Sequence, residues 1–298
     1  MQEIDLTKSK DVIGAYNSID FSFERKTYTD YGTQYCFNVL DGEIVAGYNI
    51  QLACFRHLRD LQRQGDKDFP YVYSVEAFNR FLKFLSLVPN VDDLSQKLEP
   101  MDWQYFIFAQ LFAWFDLDDV PRFSNIIISI ARSQGKTMIA GICLNFSYLI
   151  EIIGQSNQDF LVSSLNFDQT MKLYTYVKSM MARIIENEPF KSLAEETQVQ
   201  LYSREIKSLV DANTIHTISF ESGKFDGKHF KLAVADEVGE LRTDEGISKI
   251  TSGQANTEGS RLIEISTSHQ TPDVPSHQEQ KKLIEIMERD FVRSGDDQ

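Results

Sequence analysis

The segment 132–137 combines the residue types that bind a chain of phosphates. It follows an apolar, β-branched run at 125–130 and precedes a helix-compatible stretch, so the sequence predicts a strand, a loop and a helix in that order. In such a loop the backbone N–H groups and the helix N-terminus face the phosphates. The usual leading glycine is replaced by Ile130, and a helix start that merely carries a lysine is the alternative. The predicted nucleotide-binding residues are Arg132, Ser133, Gln134, Gly135, Lys136 and Thr137.

Two adjacent carboxylates follow a second apolar run at 232–235. One hundred positions separate Lys136 from the first of them, Asp236, which leaves room for strand–helix units between the two motifs. Lys136 would reach the β- and γ-phosphate oxygens, while Thr137 and Asp236 would hold Mg²⁺. Glu237 would orient and deprotonate an attacking water molecule. The two motifs therefore predict an ATP and Mg²⁺ site, against the alternative of an exposed acidic pair in a loop.

Composition and charge limit the class of protein. The chain has 298 residues, 42% of them apolar, and a net charge of −14, which disfavours tight DNA binding by an isolated copy. No apolar run is long enough to cross a membrane, and the acidic, polar N-terminus disfavours a secretory signal. The three cysteines and five histidines are scattered, so no zinc site is predicted.

Helix and strand patterns alternate after the phosphate loop. This alternation predicts an α/β fold with a mainly parallel central sheet flanked by helices, whose ligands bind at the carboxyl ends of the strands. We expect helices at 45–63, 74–87, 101–115, 138–153, 168–185 and 278–292, and strands at 159–164, 214–220, 232–235 and 262–267. Residues 1–40 are mixed and aromatic-rich.

The expected domain boundaries follow these patterns. Residues 1–100 form an N-terminal, mostly helical lid subdomain, residues 101–270 a P-loop ATPase core, and residues 271–298 a linker helix. Gln104 lies upstream of the phosphate loop on a helix whose aromatic residues are core. Its amide donates and accepts hydrogen bonds at once, so it could read the edge of adenine.

These residues resemble the large terminase subunit of tailed bacteriophages, the motor that packages DNA. The phosphate loop is similar to the family's deviant form, in which an arginine stands four residues before the lysine. The segment 35–42, the pair Trp103-Gln104 and the pair Asp226-Gly227 resemble other parts of the family's pattern. The segment Ser266-Thr267-Ser268 resembles its motif that couples hydrolysis to motion.

The resemblance implies a function as well as a fold. It implies an ATPase of the additive-strand-glutamate type, in which Arg132 touches the γ-phosphate within its own subunit and Gln104 contacts adenine. The implied catalytic residues are Glu237, Arg132 and Lys136, and Thr267 would sense the nucleotide. The implied partners are double-stranded DNA, the portal protein, the small terminase subunit and further copies in a ring. The implied location is the host cytoplasm, and the protein is not part of the virion.

Two departures from the family pattern are visible. Some relatives place an arginine that acts on the neighbouring subunit's nucleotide directly before the glycine aligned with Gly227, but Asp226 stands there. The cationic candidates for this role are Lys224, Lys228, Arg242 and Arg261. The family's C-terminal nuclease would need far more than the 30 residues that follow Ser268, so no DNA cleavage is expected of this chain.

Other functions remain as alternatives. A helicase-like or other P-loop DNA translocase would use the same phosphate site, although a helicase needs a second motor domain. A non-catalytic assembly module could bind nucleotide only to set a ring interface, but it would have no need of Glu237. A metabolic kinase is disfavoured, because its phosphate loop usually lies near the N-terminus.

Overall fold

A computed structural model describes residues 3–93, 96–267 and 273–290. The strands are β1 Ile4–Asp5, β2 Tyr71–Tyr73, β3 Trp114–Asp116, β4 Asn125–Ser129, β5 Asp159–Ser163, β6 Val199–Leu201, β7 Glu205–Ser208, β8 Thr214–Thr217, β9 Phe230–Asp236, β10 Arg261–Ser266 and β11 Arg289–Asp290. The helices are α1 Val12–Asn17, α2 Ser22–Thr27, α3 Tyr31–Leu40, α4 Tyr48–Arg63, α5 Val75–Leu85, α6 Asp102–Ala113, α7 Lys136–Phe146, α8 Phe167–Ile184, α9 Phe190–Thr197, α10 Glu245–Gln254 and α11 Pro275–Glu288.

The chain divides into two compact units. The first comprises 1–80, 100–123 and 279–298, and the second comprises 81–99 and 124–278. The boundary therefore differs from the expected one near residue 100. The reason is that α6 packs closely on α3, where a Cβ atom added to Gly32 would lie 2.6 Å from the Ala109 Cβ.

The first unit is a helical bundle with a buried polar centre. The Asp30 side chain caps α3 by accepting a hydrogen bond from the Thr33 N–H at 3.0 Å. The fully buried His57 lies 3.0 Å from the Thr33 hydroxyl and 3.0 Å from the Gln110 amide. Burial lowers the pKa of His57 to about 4, so this histidine is a neutral core residue at neutral pH.

The described C-terminal segment belongs to the first unit. Strand β11 pairs antiparallel with β1, so the predicted helix at 278–292 ends earlier than expected, at Glu288. Glu288 is 1% exposed; its carboxylate accepts a hydrogen bond from the Tyr48 hydroxyl at 2.8 Å and pairs with Lys10. Residues 279–290 therefore pack as part of this unit, although the sequence pattern was read as a linker.

The second unit is built on one seven-stranded sheet. Its strand order is β4-β10-β9-β5-β8-β7-β6. The first five strands are parallel to one another, β7 pairs antiparallel with β8, and β6 pairs antiparallel with β7. Helix α7 packs on β9 and β10, α8 packs on β5 and β8, and α10 packs on β9. The fold is thus α/β with a mainly parallel central sheet flanked by helices, as the sequence predicted.

Some elements differ from the sequence prediction. Residues 3–40, the described part of this segment, contain three helices, α1 to α3, where no regular pattern was recognised. The hairpin β6–β7 and the helices α9 and α10 were also not predicted. The predicted helix at 138–153 ends in a π-helical turn, Ser147–Glu151, and the predicted strand at 214–220 ends at Thr217.

Within the described part of the chain, no helix is both long and apolar enough to span a membrane.

Candidate active site

The predicted phosphate loop joins β4 to α7. Gly135 precedes the helix with φ 78°, a left-handed conformation that favours glycine. The first helical hydrogen bond runs from the Ile139 N–H to the Gly135 carbonyl at 2.9 Å. The N–H groups of Lys136 and Thr137, which begin α7, therefore have no acceptor within the helix. This helix N-terminus is suited to binding an anion.

The sheet brings the phosphate loop and the acidic pair to one edge. Strand β9 ends at Asp236 and strand β4 at Ser129, and β10 is hydrogen-bonded between them. All three strands are parallel, so their carboxyl ends lie together. Lys136 Nζ lies 3.5 Å from Glu237 Oε1, although 101 positions separate the two residues in the chain. The structure thus brings Lys136, Asp236 and Glu237 together, as the sequence predicted.

Burial is the main influence on the pKa of Asp236, the first carboxylate of the pair. It raises the pKa of Asp236, and the negative charge of Glu237 raises it further. The Glu237 backbone N–H, Lys136 and Lys172 oppose the shift, and the resulting pKa is about 6. The fold therefore holds an aspartate at the strand end that is costly to ionise without a cation beside it.

The donor atoms of the site fit a divalent cation bound next to phosphates. Among the described residues, Asp236 Oδ1, Glu237 Oε2 and Lys136 Nζ are buried and have no hydrogen-bond partner. Carboxylate and hydroxyl oxygens are the ligands that Mg²⁺ prefers, and the Thr137 hydroxyl belongs to the same loop. A lysine ammonium among them matches phosphate oxygens.

Ser266 connects the acidic pair to the phosphate loop. Its hydroxyl accepts a hydrogen bond from the Gly239 N–H at 3.1 Å, and its carbonyl accepts one from the Ile130 N–H at 3.1 Å. The end of β10 is therefore hydrogen-bonded to both segments. Thr267 follows and is half-buried, whereas Ser268 lies outside the described residues.

The start of the phosphate loop is open to solvent. Arg132, Ser133 and Gln134 are exposed, and Ser133 has a left-handed φ of 61°. Within the described residues, Arg132 has no acidic partner. The guanidinium is available for an anion.

Gln104 has a structural role that the sequence analysis missed. It lies in the first unit at the third position of α6, is buried, and its Oε1 accepts a hydrogen bond from the Met101 N–H at 2.9 Å. This is half of a capping box, and glutamine at this position is its recognisable signal. Recognition of adenine by Gln104 stays a prediction.

Replacing Gln104 with alanine is expected to lower the free energy of unfolding of the first unit by about 1 kcal/mol, because the capping hydrogen bond is lost. Both tryptophans, Trp103 and Trp114, lie in this unit, so urea denaturation followed by tryptophan fluorescence measures the effect. Unchanged stability of Gln104→Ala would contradict the capping role.

The four cationic candidates for action on a neighbouring subunit occupy different positions. Arg261 is buried at the start of β10, where it contacts the Ser147 hydroxyl at 3.0 Å and pairs with Glu151. This start is the opposite end of the strand from Ser266, so Arg261 is a core ion-pair residue and no longer a candidate.

The other three candidates are more accessible. Lys228 lies before β9, 3.3 Å from His216 Nε2, and with Asp226 it lines a cavity of about 380 Å³. Lys224 and Arg242 are exposed. Arg242 follows β9, so it lies past the strand's carboxyl end, where Asp236 is. The assignment of a residue that acts between subunits stays open among these three.

Two residues near the acidic pair were missed by the sequence analysis. The Ser164 hydroxyl donates to the Asp236 carbonyl at 3.4 Å, and the charge of Lys172 acts on the Asp236 carboxylate. Both follow β5, the neighbour of β9 in the sheet. Only the strand order reveals this proximity, although a serine directly after an apolar strand is a weak signal.

Comparison with known proteins identifies the family of this chain. Residues 102–283, more than half of the chain, match the family model described as "Terminase large subunit, ATPase domain". No curated protein matches the chain.

Solved structures give a further comparison. The large terminase of bacteriophage HK97 aligns with a TM-score of 0.52 and 22% identity over 66% of this chain and 39% of that one, so the chain spans well under half of that protein. A mutant large terminase ATPase domain of Thermus phage P74-26 aligns with a TM-score of 0.46 and 13% identity over 67% of this chain and 72% of that one. The first of these shows a shared fold, and the family match shows more: this chain belongs to the phage terminase large subunits and contains their ATPase domain.

Proposed function

We propose that this chain is a Mg²⁺-dependent ATPase that drives double-stranded DNA into a viral procapsid. The observation that carries the proposal is the 3.5 Å approach of Lys136 to Glu237 beside the half-buried Asp236, at the carboxyl edge of a sheet in which β10 separates the two motif strands. Membership of the terminase family supports the packaging role.

The proposed chemistry is in-line attack of water on the γ-phosphate. Glu237 accepts a proton from the attacking water, and its 3.5 Å approach to Lys136, the residue proposed to bind the transferred phosphoryl, supports this role. Lys136 and Arg132 stabilise the negative charge that develops on the phosphoryl oxygens. The free N–H groups at the start of α7 hold the remaining phosphates.

The metal contributes charge neutralisation. Bound Mg²⁺ would be held by Thr137 and by Asp236 and would neutralise charge on the β- and γ-phosphates. Ser133, Gln134 and Gly135 complete the nucleotide-binding loop, and Gln104 would contact adenine.

Coupling of hydrolysis to motion is assigned to the end of β10. Ser266 is hydrogen-bonded both to the segment after Glu237 and to the segment before the phosphate loop. Loss of the γ-phosphate would therefore shift the end of β10, and the coupling residues would be Ser266, Thr267 and Ser268. The proposed partners are double-stranded DNA, the portal protein, the small terminase subunit and further copies of the chain in a ring. The proposed setting is the host cytoplasm.

The test is steady-state ATP hydrolysis measured across protein concentrations, with and without duplex DNA. Because ring assembly brings subunits together, we expect the rate to rise more than linearly with protein concentration and duplex DNA to increase turnover. A chain that binds ATP tightly but never hydrolyses it would instead be a nucleotide-gated assembly module. Equal stimulation by single-stranded and duplex DNA would favour a helicase-like translocase.

A further inference from the structure

The turn that carries the two carboxylates lies between the ends of two neighbouring strands. Strand β9 is flanked by β10 on one side and β5 on the other. In the β5–β9 pairing, Ser163 lies opposite Ala235, so the next residues, Ser164 and Asp236, leave the sheet side by side. Paired residues of parallel strands point to the same face, which places Ser164 and Asp236 on one face of the sheet.

Every polar group of Ser164 is engaged. Its hydroxyl donates to the Asp236 carbonyl at 3.4 Å, and its backbone N–H donates to the Thr170 hydroxyl at 3.1 Å. Its carbonyl accepts from the Phe220 N–H at 2.9 Å. Thr170 is fully buried in the first turn of α8, and its hydroxyl also donates to the Asn166 carbonyl at 2.8 Å. Ser164 thus ties the start of α8 to the end of β9.

The hydroxyl of Ser164 binds the peptide unit that sets the orientation of Glu237. The Asp236 carbonyl belongs to the peptide unit that joins Asp236 to Glu237, and Glu237 has a left-handed φ of 56° that is unfavourable for a non-glycine residue. Rotation of this peptide would redirect the Glu237 side chain. The N–H of Gly239, two residues after Glu237, donates a hydrogen bond to the hydroxyl of Ser266 at the end of β10. The turn is therefore held by one serine from each flanking strand.

We propose that Ser164 is a positioning residue for the catalytic base Glu237, and that it acts through the peptide between Asp236 and Glu237. The inference rests on the proposed ATPase function. Ser164 reaches the site through its bond to the Asp236 carbonyl and takes no part in proton transfer. Its removal allows the peptide to rotate, so the base spends less time in line with the attacking water.

The test compares Ser164→Ala with Ser163→Ala. Ser163 is a matched control, because it is equally buried at the end of the same strand and its hydroxyl has no hydrogen-bond partner among the described residues. We expect Ser164→Ala to lower kcat by about tenfold to 100-fold, since small misplacements of a catalytic group have effects of this size. KM and the affinity for a fluorescent ATP analogue should stay within about twofold of wild type, and Ser163→Ala should leave kcat within the same range.

Conservative variants separate positioning from folding. Ser164→Thr keeps the hydroxyl and should recover most of kcat, whereas Ser164→Cys keeps the size with a weaker donor and should lie between Ser164→Ala and wild type. Thermal unfolding of all variants is recorded in parallel. Equal kcat for Ser164→Ala and Ser163→Ala, or a fall in kcat that tracks the loss of thermal stability across all variants, would overturn the inference.

The same experiment distinguishes failure of the proposed function. If wild type shows no hydrolysis that Glu237→Gln abolishes, the ATPase proposal fails, and the assignment of Ser164 fails with it. If wild type shows such hydrolysis and Ser164→Ala leaves it intact, only the assignment of Ser164 fails.

Discussion

Replacing Glu237 with glutamine is expected to lower kcat for ATP hydrolysis by about 100- to 10,000-fold, because a general base contributes about that much to the rate. Glutamine has nearly the same size and still accepts a hydrogen bond, but it cannot take a proton from water at neutral pH. Since the carboxylate is assigned to the chemical step, the KM for ATP should change little. Steady-state hydrolysis with Mg²⁺ measures both quantities.

The control for this prediction is Glu240→Gln. Glu240 is exposed on the short helical turn directly after Glu237, so the same chemical change at this position should leave kcat within about twofold of wild type. Lys136→Ala should fail differently, since loss of its ammonium removes phosphate binding and weakens the affinity for a fluorescent ATP analogue. Retention of activity in Glu237→Gln would show that another group is the base.

The phosphate loop and the acidic pair were predictable because their signals are local. An apolar β-branched run, a short polar loop and a helix-compatible stretch occur consecutively at 125–146, and the apolar run that ends at Asp236 is equally continuous. The placement of both motifs at strand ends followed from the rule that parallel sheets bind ligands there. The family resemblance then gave the roles that remain predictions for Arg132, Gln104 and Thr267.

Strand order and burial were not predictable in this way. The sequence of β10 does not indicate that this strand lies between β4 and β9. The pairing of β10 with β4 joins residues that are more than 130 positions apart. The proposed role of Ser164 likewise depends on a non-local contact, the pairing of β5 with β9. The helices of the first 40 residues and the hairpin β6–β7 were missed because they are short, and packing, not periodicity, decides their structure.

The boundary between the units was also a non-local property. Helix α6 was assigned to the ATPase core, and the matching family model likewise begins at residue 102, but the contacts of α6 group it with the first unit. Its apolar face is buried against α3, more than 60 positions earlier, and the segment 279–290 is held by β1 and Glu288. Neighbourhood in sequence is a poor guide to unit membership when the partners of a helix are distant in the chain.

Replacing Asp236 with asparagine is expected to stabilise the metal-free protein while abolishing Mg²⁺-dependent hydrolysis. The pKa of Asp236 is raised from 3.8 to about 6, mainly by burial and then by Glu237, so the folded state binds the proton more tightly than the unfolded chain. Ionised Asp236 therefore destabilises the fold at neutral pH. A shift of about two pKa units corresponds to about 3 kcal/mol as an upper bound, and we expect a gain of about 1–3 kcal/mol at pH 8.

The sign of this effect fixes its pH dependence. The destabilisation is complete above the folded-state pKa of about 6, diminishes as the pH falls through that value, and is absent well below 3.8, where the carboxyl group is protonated in both states. The stability difference between Asp236→Asn and wild type should therefore shrink between pH 6 and pH 4. Far-UV circular dichroism during urea denaturation measures it, because both tryptophans lie in the other unit and would not report on β9.

The matched control is Asp226→Asn, which makes the same change at an exposed position before β9 and should alter stability by less than about 0.5 kcal/mol. Addition of Mg²⁺ with a non-hydrolysable ATP analogue should stabilise wild type and leave Asp236→Asn nearly unchanged, because a ligand stabilises only the state that binds it.

A variant less stable than wild type at pH 8 would show that the Asp236 carboxylate is already compensated in the folded protein. A variant with both higher stability and full activity would remove Asp236 from the metal site. The expected combination, a more stable protein without activity, would show that the buried charge is retained at the expense of stability because the reaction requires it.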